Sequence, residues 1–206
     1  MKLIQFIILL VLLNLNYAND GDIQKKIQTD LIFAAQGSTI ELPEGKINLN
    51  RVLSADNLND VTILGYGIDK TILSFKNQIE GAEGIKISNS KNITLKGFTI
   101  EDSKGDLIKV EDTDGISFIN IKAQWTGGPK STNGSYALYP VKSEKVFIDS
   151  CIAIGASDAG IYVGQSKEII VKNSEAYFNV AGIEIENSTN ADVYNNYTHN
   201  NSGGIL

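Results

Sequence analysis

From residue 84 onward, short runs of alternating apolar and polar residues recur in a fixed order. The segments Gly84-Ile-Lys-Ile-Ser-Asn-Ser90, Leu107-Ile-Lys-Val-Glu-Asp-Thr113, Ala137-Leu-Tyr-Pro-Val-Lys-Ser143, Gly160-Ile-Tyr-Val-Gly-Gln-Ser166 and Gly182-Ile-Glu-Ile-Glu-Asn-Ser188 are copies of one unit. Their closing hydroxyl residues are separated by 23, 30, 23 and 22 residues. A second apolar pair follows each: Ile93/Leu95, Ile116/Phe118, Val146/Ile148, Ile169/Val171 and Ala191/Val193. Next come a small or amide column (Gly97, Asn120, Ser150, Asn173, Asn195) and an inward column (Ile100, Ala123, Ala153, Ala176, Thr198). Alternation at period two predicts strands with one buried face. Strands this short cannot bury that face alone, but stacked copies can.

The predicted architecture is therefore all-β, a single-stranded parallel β-helix of 22–23 residues per coil. Side chains of one column then stand about 4.8 Å apart. Amides and hydroxyls at the bends can satisfy corner backbone groups and bond to their copies. An αβ horseshoe would need a leucine-rich consensus and a helical half-repeat, and a β-sandwich would not hold columns at this period. Upstream, residues 22–36 set Ile23, Ile27, Leu31 and Ala34 on one face at helical spacing. Asp20 or Asp22 is the expected N-cap and Gly37 the C′ residue. This helix is expected to cap the first coil and hide its unpaired edge. Residues 38–49, with a Pro43-Glu44-Gly45 turn, and 59–75 read as early, less regular coils. Gly204-Ile205-Leu206 opens another copy of the strand, the pattern expected of a segment of a longer solenoid.

Met1–Ala18 has a lysine, an apolar run from Leu3 to Leu13 broken only by Gln5, and a polar stretch ending in Ala18. This is the grammar of a signal peptide, and residues 19–206 form the expected mature domain. A secreted, periplasmic or cell-envelope location follows, with no transmembrane span once the leader is removed. Composition narrows the chemistry. One Cys (Cys151) excludes an internal disulfide, and one Cys with one His (His199) excludes a Cys/His zinc site. A net charge of −6 argues against nucleic acid as a partner.

The helix, the segment Gly37-Ser-Thr-Ile-Glu-Leu-Pro-Glu-Gly45 and the Gly-Ile-x-Ile coils with corner asparagines resemble the right-handed parallel β-helix proteins. That pectin-lyase-like group includes pectate and pectin lyases, mannuronan epimerases and copper-enzyme maturation solenoids. Gly155–Ser166 and Val180–Ser188 are most similar to exported bacterial β-helix repeat proteins of unassigned role. The resemblance implies a right-handed coil. Its enzyme signatures are mostly missing: there is no Asp-Pro-His-Asp, no paired-Asp or Gly-His-Gly motif, and the sole arginine, Arg51, lies in an early coil. An enzyme of this group would be a polysaccharide lyase or a uronate C5-epimerase.

One outward column offers binding chemistry: Lys86, Lys109, Tyr139, Tyr162 and Glu184. Stacked, they would form a ladder about 20 Å long, enough for several sugar units. Lysines suit uronate carboxylates, tyrosines suit sugar rings and Glu184 suits hydroxyls. In uronate chemistry Lys109 would neutralise the carboxylate, and Tyr139 or Tyr162 would move the C5 proton. The 30-residue interval marks an insertion at 124–136, where Trp125 and Tyr136 are candidate sugar-stacking residues. A Trp folded back over the coil flank is the structural alternative. In this coil, Val141 replacing Pro140 as the inward residue would turn Tyr139 inward. Glu101, Asp102, Asp106, Glu111, Asp112 and Asp114 are a candidate calcium edge or a solvated acidic one; no other cofactor is expected. Asp158 is a candidate functional acid or a turn former, and Cys151 is expected to pack with Phe98 and Ile121. The expected partner is a uronate-containing extracellular polysaccharide, to be bound, with its modification a further expectation. The alternative is a non-catalytic scaffold presenting a surface to an envelope protein.

Overall fold

A computed structural model describes residues 19–206; the signal peptide expected at Met1–Ala18 lies outside the described residues. The chain winds through a three-faced coil, and every strand pairing given below is parallel. The first face, called here the front sheet, stacks Arg51–Asp56, Glu80–Ser88, Ile108–Glu111, Tyr136–Val141, Ala159–Gly164, Ala181–Glu186 and Gly203–Ile205 in that order. The second face carries Thr39–Glu41, Thr62–Leu64, Glu144–Asp149, Lys167–Lys172 and Thr189–Tyr194. The third carries Gly45–Asn48, Thr71–Ser74, Ile152–Ile154, Glu175–Tyr177 and Tyr197–His199. Two long strands, Lys91–Glu101 and Asp114–Gln124, bend across the second and third faces and join them into one sheet.

The columns expected from spacing are the observed registers. Ile93, Ile116, Val146, Ile169 and Ala191 pair in succession, as do Ile100, Ala123, Ala153, Ala176 and Thr198. Residues 38–75 obey the same order more closely than their sequence suggests: Thr39 pairs with Thr62, and Thr62 with Thr94. Inward residues such as Leu53, Ile87, Leu95, Phe98, Phe118, Ile148 and Val171 form one continuous buried core.

The corners explain the asparagines. Asn120, Ser150, Asn173 and Asn195 all have φ between 51° and 58°, with Gly97 at 72°. The small or amide column is thus a left-handed bend, a conformation that glycine and asparagine adopt at least cost. The hydroxyl column is a ladder of its own. Each oxygen donates to the carbonyl two residues back, as Ser143 does to Val141 at 3.0 Å and Ser166 to Gly164 at 2.8 Å. Four of the five also accept a backbone N–H from the preceding coil: Leu58 N donates to Ser90, Thr113 N to Ser143, Ser143 N to Ser166 and Ser166 N to Ser188. A buried corner therefore leaves neither group unpaired.

The helix spans Asp20–Ile32, not 22–36. Asn19 is the N-cap, its side chain accepting from Asp22 N at 3.1 Å, and Phe33 ends the helix. Residues 34–37 instead carry the chain down to the first coil, where Gly37 N donates to Asn59 O. Ile27 and Leu31 are buried against that coil. Gln24 accepts from Asn50 N and donates to Arg51 O, while Gln28 accepts from Ser54 N and donates to Ser54 O. Two side-chain amides thus supply the donor and acceptor that a neighbouring strand would supply, which quiets the exposed edge.

Candidate functional site

The outward ladder assembles on the front sheet. Ser54 lies beside Lys86, Lys86 beside Lys109, Lys109 beside Tyr139, and Tyr162 beside Glu184. Leu138 pairs with Ile161, which sets Tyr139 beside Tyr162. Pro140 pairs with Val110 and is buried, so Tyr139 points outward and the alternative register is not used. A second outward row, two residues along each strand, includes Asp56, Ser88, Glu111, Gly164 and Glu186.

Tyr136 joins Tyr139 and Tyr162 in an aromatic cluster at the centre of the sheet. Its ring stacks on Tyr162 at 4.3 Å and 28°, and lies 4.6 Å from Tyr139; Tyr139 meets Tyr162 edge-on at 5.2 Å. Tyr162 lies over Gly164, where a Cβ would stand 2.5 Å from its Cε1, and its hydroxyl donates to Glu186. The Lys109 ammonium sits 5.3 Å from the Tyr139 ring centre. Lys86 and Lys109 flank one carboxylate, Glu111, at 3.0 and 3.3 Å.

The electrostatics bear on the acid–base roles expected of the tyrosines. Burial, then the Asp158 carboxylate, raises the Tyr136 hydroxyl; burial, then the bond to Glu186, raises Tyr162; burial raises Tyr139, opposed only in part by Lys109. All three stay protonated across the ordinary pH range, so a phenolate base at Tyr139 or Tyr162 is disfavoured. Lys109 is likewise already paired with Glu111, at 3.3 Å. The cluster presents ring faces and hydroxyls, which suits binding better than proton abstraction. At its edge, burial raises Asp106, which accepts Tyr136 N at 3.0 Å, and burial with Asp158 and Glu186 raises Glu184. Asp158 therefore faces the tyrosine cluster, while its backbone carbonyl accepts from Val180 N and Ala181 N at the turn.

Trp125 is placed elsewhere. It is 5% exposed, and its indole N–H donates to Ser103 O at 3.0 Å. The ring seals the coil flank beneath the inserted loop and offers no face to a ligand. The loop is tied down by Asp102, which accepts from Thr126 N and Oγ1, and by Asn133, which donates to Gly128 O and Gly155 O.

The acidic residues considered for calcium disperse. Glu101 is buried and pairs with Lys46, Asp102 holds Thr126, Asp106 serves Tyr136, Glu111 serves the two lysines and Asp114 pairs with Lys145 at 2.8 Å. Among the described residues no three His, Cys, Asp or Glu side chains converge as a metal site. His199 lies on the third face, its Nε2 2.9 Å from Glu175 and its ring stacked on Tyr177. Cys151 is fully buried in the column of Phe98 and Ile121, and burial pushes its thiol up to about 12. Sequence reasoning missed Glu186 and the position of Glu111 between the lysines. Reading the outward column two residues further along each strand would have found both.

The family model for the right-handed beta helix region matches residues 57–206. The chain belongs to the right-handed β-helix family. No curated protein matches this β-helix. Among solved structures it is similar to ORF18 of Geobacillus virus E2, at 13% identity and a TM-score of 0.55, covering 85% of this chain and 37% of the viral one. A pectin methylesterase mutant in complex with a hexasaccharide aligns at 11% identity and a TM-score of 0.46, covering 79% of this chain and 66% of that one. The β-helix thus spans little more than a third of the viral protein, and the likeness concerns fold alone. No helix among the described residues is long and apolar enough to cross a membrane.

Proposed function

We propose that the front sheet of this β-helix binds an extracellular polysaccharide, with Tyr136, Tyr139 and Tyr162 as its stacking centre. The observation that carries the reading is the convergence of three half-exposed tyrosines on one flat, rigid sheet, flanked by groups that bond hydroxyls. Parallel strands about 4.8 Å apart give the row a length of about 20 Å, matching a run of several sugars. Aromatic faces pack on the C–H side of a sugar ring, and Glu184, Glu186 and the tyrosine hydroxyls suit the sugar's own hydroxyls. A rigid β-scaffold lowers the ordering cost of binding an extended chain. The leader grammar of Met1–Ala18 is the basis for placing this activity outside the cytoplasm.

Lyase or epimerase chemistry finds less support. It would need a base, and the tyrosines are held protonated. Incubation with alginate and pectin, followed by ultraviolet absorbance for unsaturated products, is expected to show none. The binding reading is tested on a glycan array with wild type and Tyr162→Ala. Retention of a glycan class that Tyr162→Ala loses supports it. Binding indifferent to that substitution overturns it.

A further inference from the structure

The two lysines of the ladder are its only feature suited to a uronate, and both are already engaged. Glu111 stands in the outward row between them, its Oε1 3.0 Å from Lys86 Nζ and its Oε2 3.3 Å from Lys109 Nζ. A single carboxylate thus spends one oxygen on each ammonium. The three side chains are partly withdrawn from water, at 37%, 22% and 23% exposure for Lys86, Lys109 and Glu111. Lys109 also packs over the Tyr139 ring, which fixes the pair at the edge of the aromatic cluster. Lys109 and Glu111, the less exposed two, are screened by solvent less than a fully exposed ion pair would be.

The surroundings have the same sign as Glu111. Glu83 and Asp106 act on this end of the sheet, and Asp158, Glu184 and Glu186 on the other. The only positive groups among these outward residues are Lys86 and Lys109. A uronate reaching either lysine would have to displace Glu111 or lie beside it, carboxylate against carboxylate. Juxtaposed like charges discriminate strongly between partners. A neutral sugar meets no such barrier and can use the carboxylates as acceptors for its hydroxyls.

We infer that Glu111 is a specificity-determining residue, which occupies Lys86 and Lys109 and so excludes polyuronate chains from the front sheet in favour of neutral ones. The inference rests on the reading of this sheet as a polysaccharide-binding face. It assigns the substrate class of that face and reverses the uronate preference that the lysines suggest when read alone. The shift directions agree: the bond to Lys86 lowers the Glu111 carboxyl, and the bond to Glu111 raises the Lys86 ammonium.

The test measures polygalacturonate binding to the full chain at low salt, for wild type, Glu111→Gln and Glu111→Ser. Serine already occupies this row at Ser88, so the second variant suits the strand. Both variants are expected to bind polygalacturonate at least tenfold more tightly than wild type. The gain should vanish at high salt and when Lys86→Ala and Lys109→Ala are added. Wild type binding as tightly as the variants, or variants gaining nothing while folded by circular dichroism, would overturn the inference. The two failures are separable. Neutral glycans retained on the array with no gain in the variants sinks the Glu111 role and spares the binding face. A gain in the variants with no Tyr162-dependent glycan on the array sinks the binding face, and with it the preference for neutral chains, and leaves only the masking of the two lysines by Glu111.

Discussion

At the residue scale the fold is specified by corner positions as much as by core ones. The Ser143 hydroxyl receives Thr113 N–H and gives to Val141 O, both within buried backbone. Ser143→Ala strands the Thr113 N–H, while Val141 O keeps the Asp112 N–H, and is expected to cost about 1–3 kcal/mol in urea unfolding. Ser143→Thr should cost far less, because Thr113 fills the same position in the adjacent coil. Cys151 should resist a thiol reagent in the native state and react on unfolding, given its burial and raised thiol. Asp106 makes a pH prediction. Its folded carboxyl is raised, so the native state holds more protons than the unfolded chain, and this residue's contribution to stability grows as pH falls from neutral. Asp106→Asn keeps an oxygen for Tyr136 N and should match or exceed wild-type stability at neutral pH, with a flatter dependence toward acid. Equal acid profiles for the two proteins would show that the carboxyl is not desolvated as described. The hydroxyl and inward columns were legible because every coil repeats them. The asparagine column was legible as a position, yet its physical cause, a left-handed backbone, shows only in the dihedral angles. Trp125 misled because a loop tryptophan reads as a ligand platform, and nothing in its neighbours announces the Ser103 carbonyl that takes its N–H.

At the element scale, the helix and the front sheet show opposite limits of periodicity. Ile27 and Leu31 placed the helix and its buried face, but not its ends, because Asn19 outcompetes Asp20 and Asp22 as the cap. Nor does helical spacing indicate that Gln24 and Gln28 reach the strand edge. Gln24→Ala should lose about 1–2 kcal/mol and speed amide exchange at Asn50 first, since its side chain alone accepts that N–H. Uniform exchange across the first coil would contradict the edge-capping role. On the front sheet, the ladder followed from strand alternation once the register was known. The tyrosine cluster did not, because Tyr136 lies three residues before Tyr139, off the outward alternation, yet its ring comes within 4.6 Å of the Tyr139 ring. Gly164→Val should force the Tyr162 ring off the strand, weakening glycan retention while leaving the unfolding free energy within about 1–2 kcal/mol of wild type.

At the scale of the whole molecule, function follows from repetition. Each coil contacts its neighbours in sequence, so outward side chains are held one strand spacing apart on a stiff surface. Such a surface suits an extended, repeating ligand, and the tyrosine cluster gives it a centre. The measurement that decides most directly is calorimetric titration of an oligosaccharide from the retained class into wild type and Tyr162→Ala at fixed pH and salt. Loss of a central stacking residue worth about 2 kcal/mol predicts affinity weakened about thirtyfold, with the fold intact by circular dichroism. Equal affinity for the two proteins would contradict the account and move the binding surface off the front sheet.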